Sequence, residues 1–273
     1  MKNIKSIVFG SSVVAVLALA SSCGQEDIAT PDAAARVKIF HVVVNAPANA
    51  LTPGATGVDV FIDGQLLDLN KTINFPVPGS NATFTKPFRD TLTYGRQFPA
   101  DSTYMGFTPG ERNLKITPFG VPGTVVLDAK LNLESGKSYT VFATDSLPTI
   151  SGVVITDNVP APVNKKSPFR FVHMSPDAPP CDILRARGTD TVTLFTNIAY
   201  RQATAFIQVD TSVGTTGPFK TDYIVRASGT GKSVRPFTSA VLVNGRAYSL
   251  VIRGYLSQTG TKGINATLMT NAR

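Results

Sequence analysis

Val37-Lys38-Ile39-Phe40-His41 and Phe169-Arg170-Phe171-Val172-His173 are two versions of one run: a cation among apolar residues, closed by a histidine. Apolar side chains at every second position suit a strand with one face on a core. The segments after each run also recur. Pro176-Asp177-Ala178-Pro179 stands where Asn45-Ala46-Pro47 stood, and Cys181-Asp182-Ile183-Leu184 corresponds to Val58-Asp59-Val60-Phe61 after a longer first loop. Tyr200-Arg201-Gln202 parallels Tyr94-Gly95-Arg96-Gln97, and Gly245-Arg246-Ala247-Tyr248-Ser249-Leu250 parallels Gly136-Lys137-Ser138-Tyr139-Thr140-Val141. Similar anchors in one order imply duplication of a unit of about 105 to 125 residues, the size of one β-sandwich.

Between the anchors the chain moves in short apolar bursts. Val58 to Ile62 is followed by the turn dipeptide Asp63-Gly64, and Glu134-Ser135-Gly136-Lys137 separates two further bursts as a hairpin turn. Apolar residues make up 42% of the chain and charged residues only 16%, with no window of sustained helical periodicity. The expected fold is therefore all-β: two tandem Ig-like or prealbumin-like antiparallel β-sandwich domains. Their expected bounds are 36–157 and 168–273, joined by the proline-rich stretch 158–167, whose prolines withhold backbone donors from a sheet.

The N-terminus is an address. Lys2 and Lys5 precede an apolar stretch from Ile7 to Ala20, the layout of a secretory signal peptide and too short to span a bilayer comfortably. Leu19-Ala20-Ser21-Ser22-Cys23 resembles a bacterial lipobox, with leucine one place further from the cysteine than usual. That resemblance implies cleavage after residue 22, lipidation of Cys23, a tether over 23–35 and attachment to the outer membrane. Glu26-Asp27 just behind resembles the surface-export signal of Bacteroidota lipoproteins, which implies exposure on the cell surface, with a periplasm-facing position as the alternative. Lipidation of Cys23 leaves Cys181 alone, without a disulfide partner and read as a packed side chain.

His173-Met174-Ser175-Pro176-Asp177-Ala178-Pro179, followed by Asp182 and a strand, resembles the opening motif of the DUF4397 family. The first copy keeps His41, Asn45-Ala46-Pro47 and Val58 to Gly64, but lacks the Ser-Pro pair and carries an insertion. Leu133 to Val141 is similar to that family's closing segment. The resemblance spans nearly all of the mature chain. It implies extracytoplasmic β-sandwich modules, often tandem and borne on lipoproteins, with no established activity.

Chemistry is sparse. The two histidines could pair with the acids that follow them, His41 with Asp59 and His173 with Asp182, as a base or a metal site. Two ligands fall short of the three or four a metal site wants, so a fold-building role is the stronger reading. Gly229-Thr230-Gly231-Lys232-Ser233 has Arg226 where a phosphate loop requires its first glycine, and no following helix. Nothing in the pattern calls for an enzyme or a cofactor. Without the signal peptide 24 basic residues stand against 18 acidic ones, spread along the chain, so nucleic acid is not an expected partner. Tyr94, Tyr104, Phe107 and Phe119 could stack on a sugar, although filling the core is the commoner role for such rings. The insertion from Leu67 to Asp90 is the candidate interaction loop, or else a covering flap. The expected function is a non-catalytic, lipid-anchored envelope module that binds or spaces surface proteins or glycans. The rivals are a carbohydrate-binding lipoprotein of a glycan-uptake system and an accessory hydrolase.

Overall fold

The computed structural model describes residues 34–44, 57–67, 92–99, 103–118, 121–146, 150–187, 189–211, 213–214, 217–218 and 221–271. The signal segment with Cys23, the loop 45–56, Phe119 and most of the insertion from Leu67 to Asp90 lie outside them. The described residues are all-β, relieved by one 3₁₀ turn at Gly260–Lys262.

Nine strands form the first half: β1 (Ala35–His41), β2 (Val58–Ile62), β3 (Gln65–Leu66), β4 (Arg96–Phe98), β5 (Met105–Phe107), β6 (Gly110–Pro118), β7 (Leu127–Leu133), β8 (Ser138–Thr144) and β9 (Ser151–Thr156). They make two sheets. One is ordered β3-β2-β6-β7; the other is ordered β4-β1-β8-β9, with β5 also paired to β1. The second half holds β10 (Lys166–Met174), β11 (Cys181–Arg187), β12 (Asp190–Ile198), β13 (Ile207–Asp210), β14 (Val213–Gly214), β15 (Gly217–Pro218), β16 (Thr221–Ala227), β17 (Ser233–Ala240), β18 (Ala247–Arg253) and β19 (Asn265–Asn271). Its main sheets run β13-β10-β18-β19 and β12-β11-β16-β17, beside the small β14-β15 ladder.

The registers of the two halves coincide. In the first half β1 lies parallel to β8, with Val37 opposite Tyr139, Ile39 opposite Val141 and His41 opposite Ala143. In the second half β10 lies parallel to β18, with Phe169 opposite Tyr248, Phe171 opposite Leu250 and His173 opposite Ile252. All other strand pairs among the described residues are antiparallel, so two main sheets and the β14-β15 ladder are antiparallel throughout and two main sheets are mixed about a central parallel pair. Each half also turns one tyrosine hydroxyl back to the chain. Glu134 N–H donates to Tyr139 Oη at 3.0 Å, and Val243 N–H donates to Tyr248 Oη at 3.1 Å. In both halves the tyrosine hydroxyl thus accepts the backbone N–H five residues upstream.

Alternation along the central strands sorts side chains into three cores. Val37, Ile39, Tyr139 and Val141 face the β3-β2-β6-β7 sheet, where Val60, Leu114, Ile116 and Leu131 meet them. Phe169, Phe171, Tyr248 and Leu250 face the β12-β11-β16-β17 sheet and meet Ile183, Tyr223 and Val225. The third core lies on the opposite faces: Phe40, Val42 and Phe142 from the first half pack on Val172, Met174, Val251 and Met269 from the second. The two mixed sheets therefore stand back to back, and the molecule is four sheets deep. Burying a side chain such as Phe40 or Phe142 stabilises by roughly 2 kcal/mol, so this third core holds the halves together in earnest.

Candidate functional site: the histidine loops

Each histidine lies at the end of a central parallel strand, His41 closing β1 and His173 one residue before the end of β10, and is fully buried. The ring of His173 is consumed by its own motif. Ser175 N–H donates to Nδ1 at 3.3 Å, which fixes the proton on Nε2, and Nε2–H donates to the Pro179 carbonyl at 3.1 Å. The same carbonyl accepts the Cys181 thiol at 3.1 Å. Burial lowers the imidazole's affinity for a proton, against hydrogen bonds that work the other way, and the ring stays neutral.

The rest of the motif clamps the loop between β18 and β19. Ser175 Oγ–H donates to the Gly254 carbonyl at 2.6 Å. Asp177 accepts Leu256 N–H at 2.6 Å on one carboxylate oxygen and Ser257 N–H at 2.9 Å on the other. Partial burial pushes that carboxyl up, but the hydrogen bonds outweigh it and hold Asp177 below the usual range. Gly254 sits at φ +85, with the Gly263 carbonyl oxygen 2.3 Å from where a Cβ would stand, so the clamped loop admits only glycine there. The polar atoms of His173, Ser175 and Asp177 thus bond to the protein's own backbone.

His41 repeats this geometry in part. Val43 N–H donates to its Nδ1 at 3.4 Å, while Nε2 has no hydrogen-bond partner among the described residues. Burial, reinforced by the nearby Arg253 guanidinium, pulls its pKa down to about 4. The tyrosine beside each histidine is also matched: Tyr94 stands edge-on to His41 at 6.3 Å between ring centroids, and Tyr200 to His173 at 6.1 Å. Gly95 N–H donates to the His41 carbonyl at 2.7 Å, and Arg201 N–H to the His173 carbonyl at 2.8 Å, both from left-handed backbone.

The structure does not bring the histidines together with the acids that follow them. Asp182 lies on the other sheet and accepts Asn197 N–H at 2.8 Å, while both ring nitrogens of His173 are bonded elsewhere. His41 makes no hydrogen bond to Asp59. Among the described residues no group of three histidine, cysteine or acidic side chains could hold a metal. Cys181 is buried in the second core, and burial followed by the neighbouring Asp182 charge pushes its thiol up to about 12. It is a packed side chain whose thiol resists ionisation.

Three of the four aromatic residues singled out for sugar stacking are occupied, and the fourth, Phe119, lies outside the described residues. Phe107 packs on the first core. Tyr104 donates its hydroxyl to Asp157 at 2.7 Å, and the Arg253 guanidinium lies 4.5 Å from the Tyr94 ring centroid. Strand patterns held no signal for one element. Arg170 and Asp157, a fully buried ion pair joining the two halves, read in sequence as a surface cation and the last residue before a linker.

These features define a class: an all-β protein of stacked sheets with a buried histidine in each half, the second of which belongs to a motif that staples its own loops. The chain belongs to the family described as "Domain of unknown function (DUF4397)", whose model matches residues 35–184. No curated protein matches the chain. Among solved structures it is similar, at 11% identity and a TM-score of 0.21, to a leucine-rich repeat protein from Bacteroides thetaiotaomicron VPI-5482. The match covers 83% of this chain and 27% of that one.

Proposed function

We propose that this protein is a non-catalytic module of the cell envelope, lipid-anchored through Cys23, that binds or spaces other surface components. One observation carries the reading: the polar atoms of the His173-Ser175-Asp177 motif are spent on the protein's own backbone. A catalytic base or a ligand-binding carboxylate would keep at least one such atom for its substrate. The matched registers of β1–β8 and β10–β18, and the matched tyrosine contacts, support two Ig-like sandwiches derived from one duplicated unit. Four stacked sheets favour rigid display over a flexible tether, with contacts made through loops at the ends of the sheets.

The address is tested by growing cells with a clickable fatty-acid analogue and recovering the protein from membranes. Label is expected on the wild type and none on Cys23→Ser. Unlabelled wild type contradicts lipid anchoring. A glycan array probed with the soluble chain from Gln25 onward separates the two kinds of partner, since a retained sugar would favour the carbohydrate-uptake role over protein contact.

A further inference from the structure

The third core encloses a lysine, an asparagine and a carboxylate. Lys38, Asn271 and Asp157 are all buried, beside Arg170, Ser249 and Thr140. By strand alternation Lys38 shares the face of β1 that carries Phe40 and Val42, and Asn271 the face of β19 that carries Met269. Register sets the lysine and the asparagine against each other. Lys38 holds in β1 the place of Arg170 in β10, while Asn271 and Asp157 each stand one residue beyond the partner of an equivalent tyrosine, Tyr248 or Tyr139. Arg170 pairs with Asp157 across the halves, and the matching geometry presents Lys38 to Asn271. Lys38 Nζ donates at 2.9 Å to the Thr270 carbonyl, in the peptide group that leads into Asn271, and lies 4.8 Å from the Tyr104 ring centroid.

Each end of the Asn271 amide has the partner that attack by an amine requires. Ser249 Oγ–H donates to Oδ1 at 2.7 Å, and Arg170 Nε donates to that Oγ at 2.7 Å, so the hydroxyl hydrogen is aimed where negative charge would develop. Nδ2 donates to Tyr104 Oη at 3.1 Å, and Tyr104 Oη–H donates to Asp157 Oδ2 at 2.7 Å, a relay by which a proton reaches the leaving nitrogen. Burial first, and then the Asp157 charge, keep the Tyr104 hydroxyl protonated. Asp157 is fixed in turn by Arg170 Nη2 and by Thr140 Oγ1–H at 2.5 Å. An arginine keeps its proton in any protein site, so of the two buried cations only Lys38 can give one up, and a dry interior favours the neutral amine. A neutral amine is a nucleophile.

We propose that Lys38 and Asn271 form an amide cross-link, in which Lys38 Nζ displaces the side-chain nitrogen of Asn271 as ammonia and ties β1 covalently to β19. The Nζ–Cγ bond forms and the Cγ–Nδ2 bond breaks. The carbonyl electron pair moves onto Oδ1 under Ser249 and returns as Nδ2 departs, and the proton lost from Nζ passes through Asp157 and Tyr104 to Nδ2. No oxidant or cofactor takes part, and the reaction runs once in each molecule. Tandem mass spectrometry of a tryptic digest of the folded, then denatured, protein tests it. One branched peptide carrying Lys38 and Asn271 is expected, lighter than its two arms by about 17 Da, the mass of ammonia. Separate, unmodified peptides from the folded wild type would overturn the proposal. A branch at Asp157 instead, lighter by about 18 Da through loss of water, would overturn the choice of Asn271 as acceptor. Lys38→Arg keeps the buried charge and should yield free arms alone. Tyr104→Phe keeps the ring and removes the relay, so after refolding the link should form roughly a hundredfold more slowly or worse. An equal rate in that variant would overturn the relay.

Discussion

His41 and His173 hold the same post in two halves of the molecule: each Nδ1 accepts the N–H of the residue two further on, at 3.4 and 3.3 Å. Each also offers its backbone carbonyl to the residue after a tyrosine, Gly95 or Arg201. A buried ring held this way works as a neutral hydrogen-bonding spacer. Its protonation is a stability matter before it is a chemical one.

That gives a pH prediction. The folded protein holds the His41 pKa down to about 4, against an unfolded value near 6.5. Between these values the unfolded chain binds a proton that the folded chain refuses, so stability is complete above about pH 6.5 and falls as the pH drops toward 4. Urea unfolding should show roughly 2 to 3 kcal/mol less stability at pH 4 than at pH 7 from this ring alone. His41→Gln should flatten that slope. An equal slope in both proteins would assign the acid sensitivity elsewhere.

Gly254→Ala is expected to be costly. The new methyl group would stand 2.3 Å from the Gly263 carbonyl oxygen, in backbone at φ +85. Thermal unfolding should register a loss of about 3 kcal/mol. The equivalent first-half position, Asp145, carries a side chain at φ +68, so strained backbone alone does not demand glycine there. The requirement at 254 comes from the loop that Asp177 and Ser175 pull against the strand end.

Cys181 should resist thiol reagents in the native protein. Its sulfur is buried, donates to the Pro179 carbonyl, and has its ionisation pushed up to about 12. Maleimide at pH 7.5 should leave it unlabelled over hours and label it within minutes in denaturant. Rapid native labelling would mean that the loop from Ser175 to Pro180 opens readily.

Much of this fold was legible in the sequence because the informative residues are those whose chemistry is local. Val37 and Ile39, like Phe169 and Phe171, alternate as half-buried strands do, and the matching Gly136–Val141 and Gly245–Leu250 segments lead into the equivalent strands β8 and β18. The docking of the halves was not legible. Lys38 and Arg170 look like solvated charges on an outer face, since no pattern within one strand shows that a second sheet will cover them. A weak signal was present in Ile39-Phe40-His41-Val42-Val43-Val44, where alternation lapses into a continuous apolar run. Runs of that kind belong to strands buried on both faces. The parallel pairing of β1 with β8 was equally hidden, because alternation records which face is buried and not which way the neighbour points.

Whether the histidine motif builds the fold or serves a chemistry of its own is decided by thermal unfolding of His173→Ala in the otherwise intact chain. Removal of the ring strands the Ser175 amide in a dry interior and leaves the Pro179 carbonyl only the weak Cys181 thiol donor, at a cost of about 2 kcal/mol, so the midpoint should fall by ~5 °C. A variant that melts with the wild type would contradict the structural role and return His173 to the pool of candidate catalytic or ligand-binding groups.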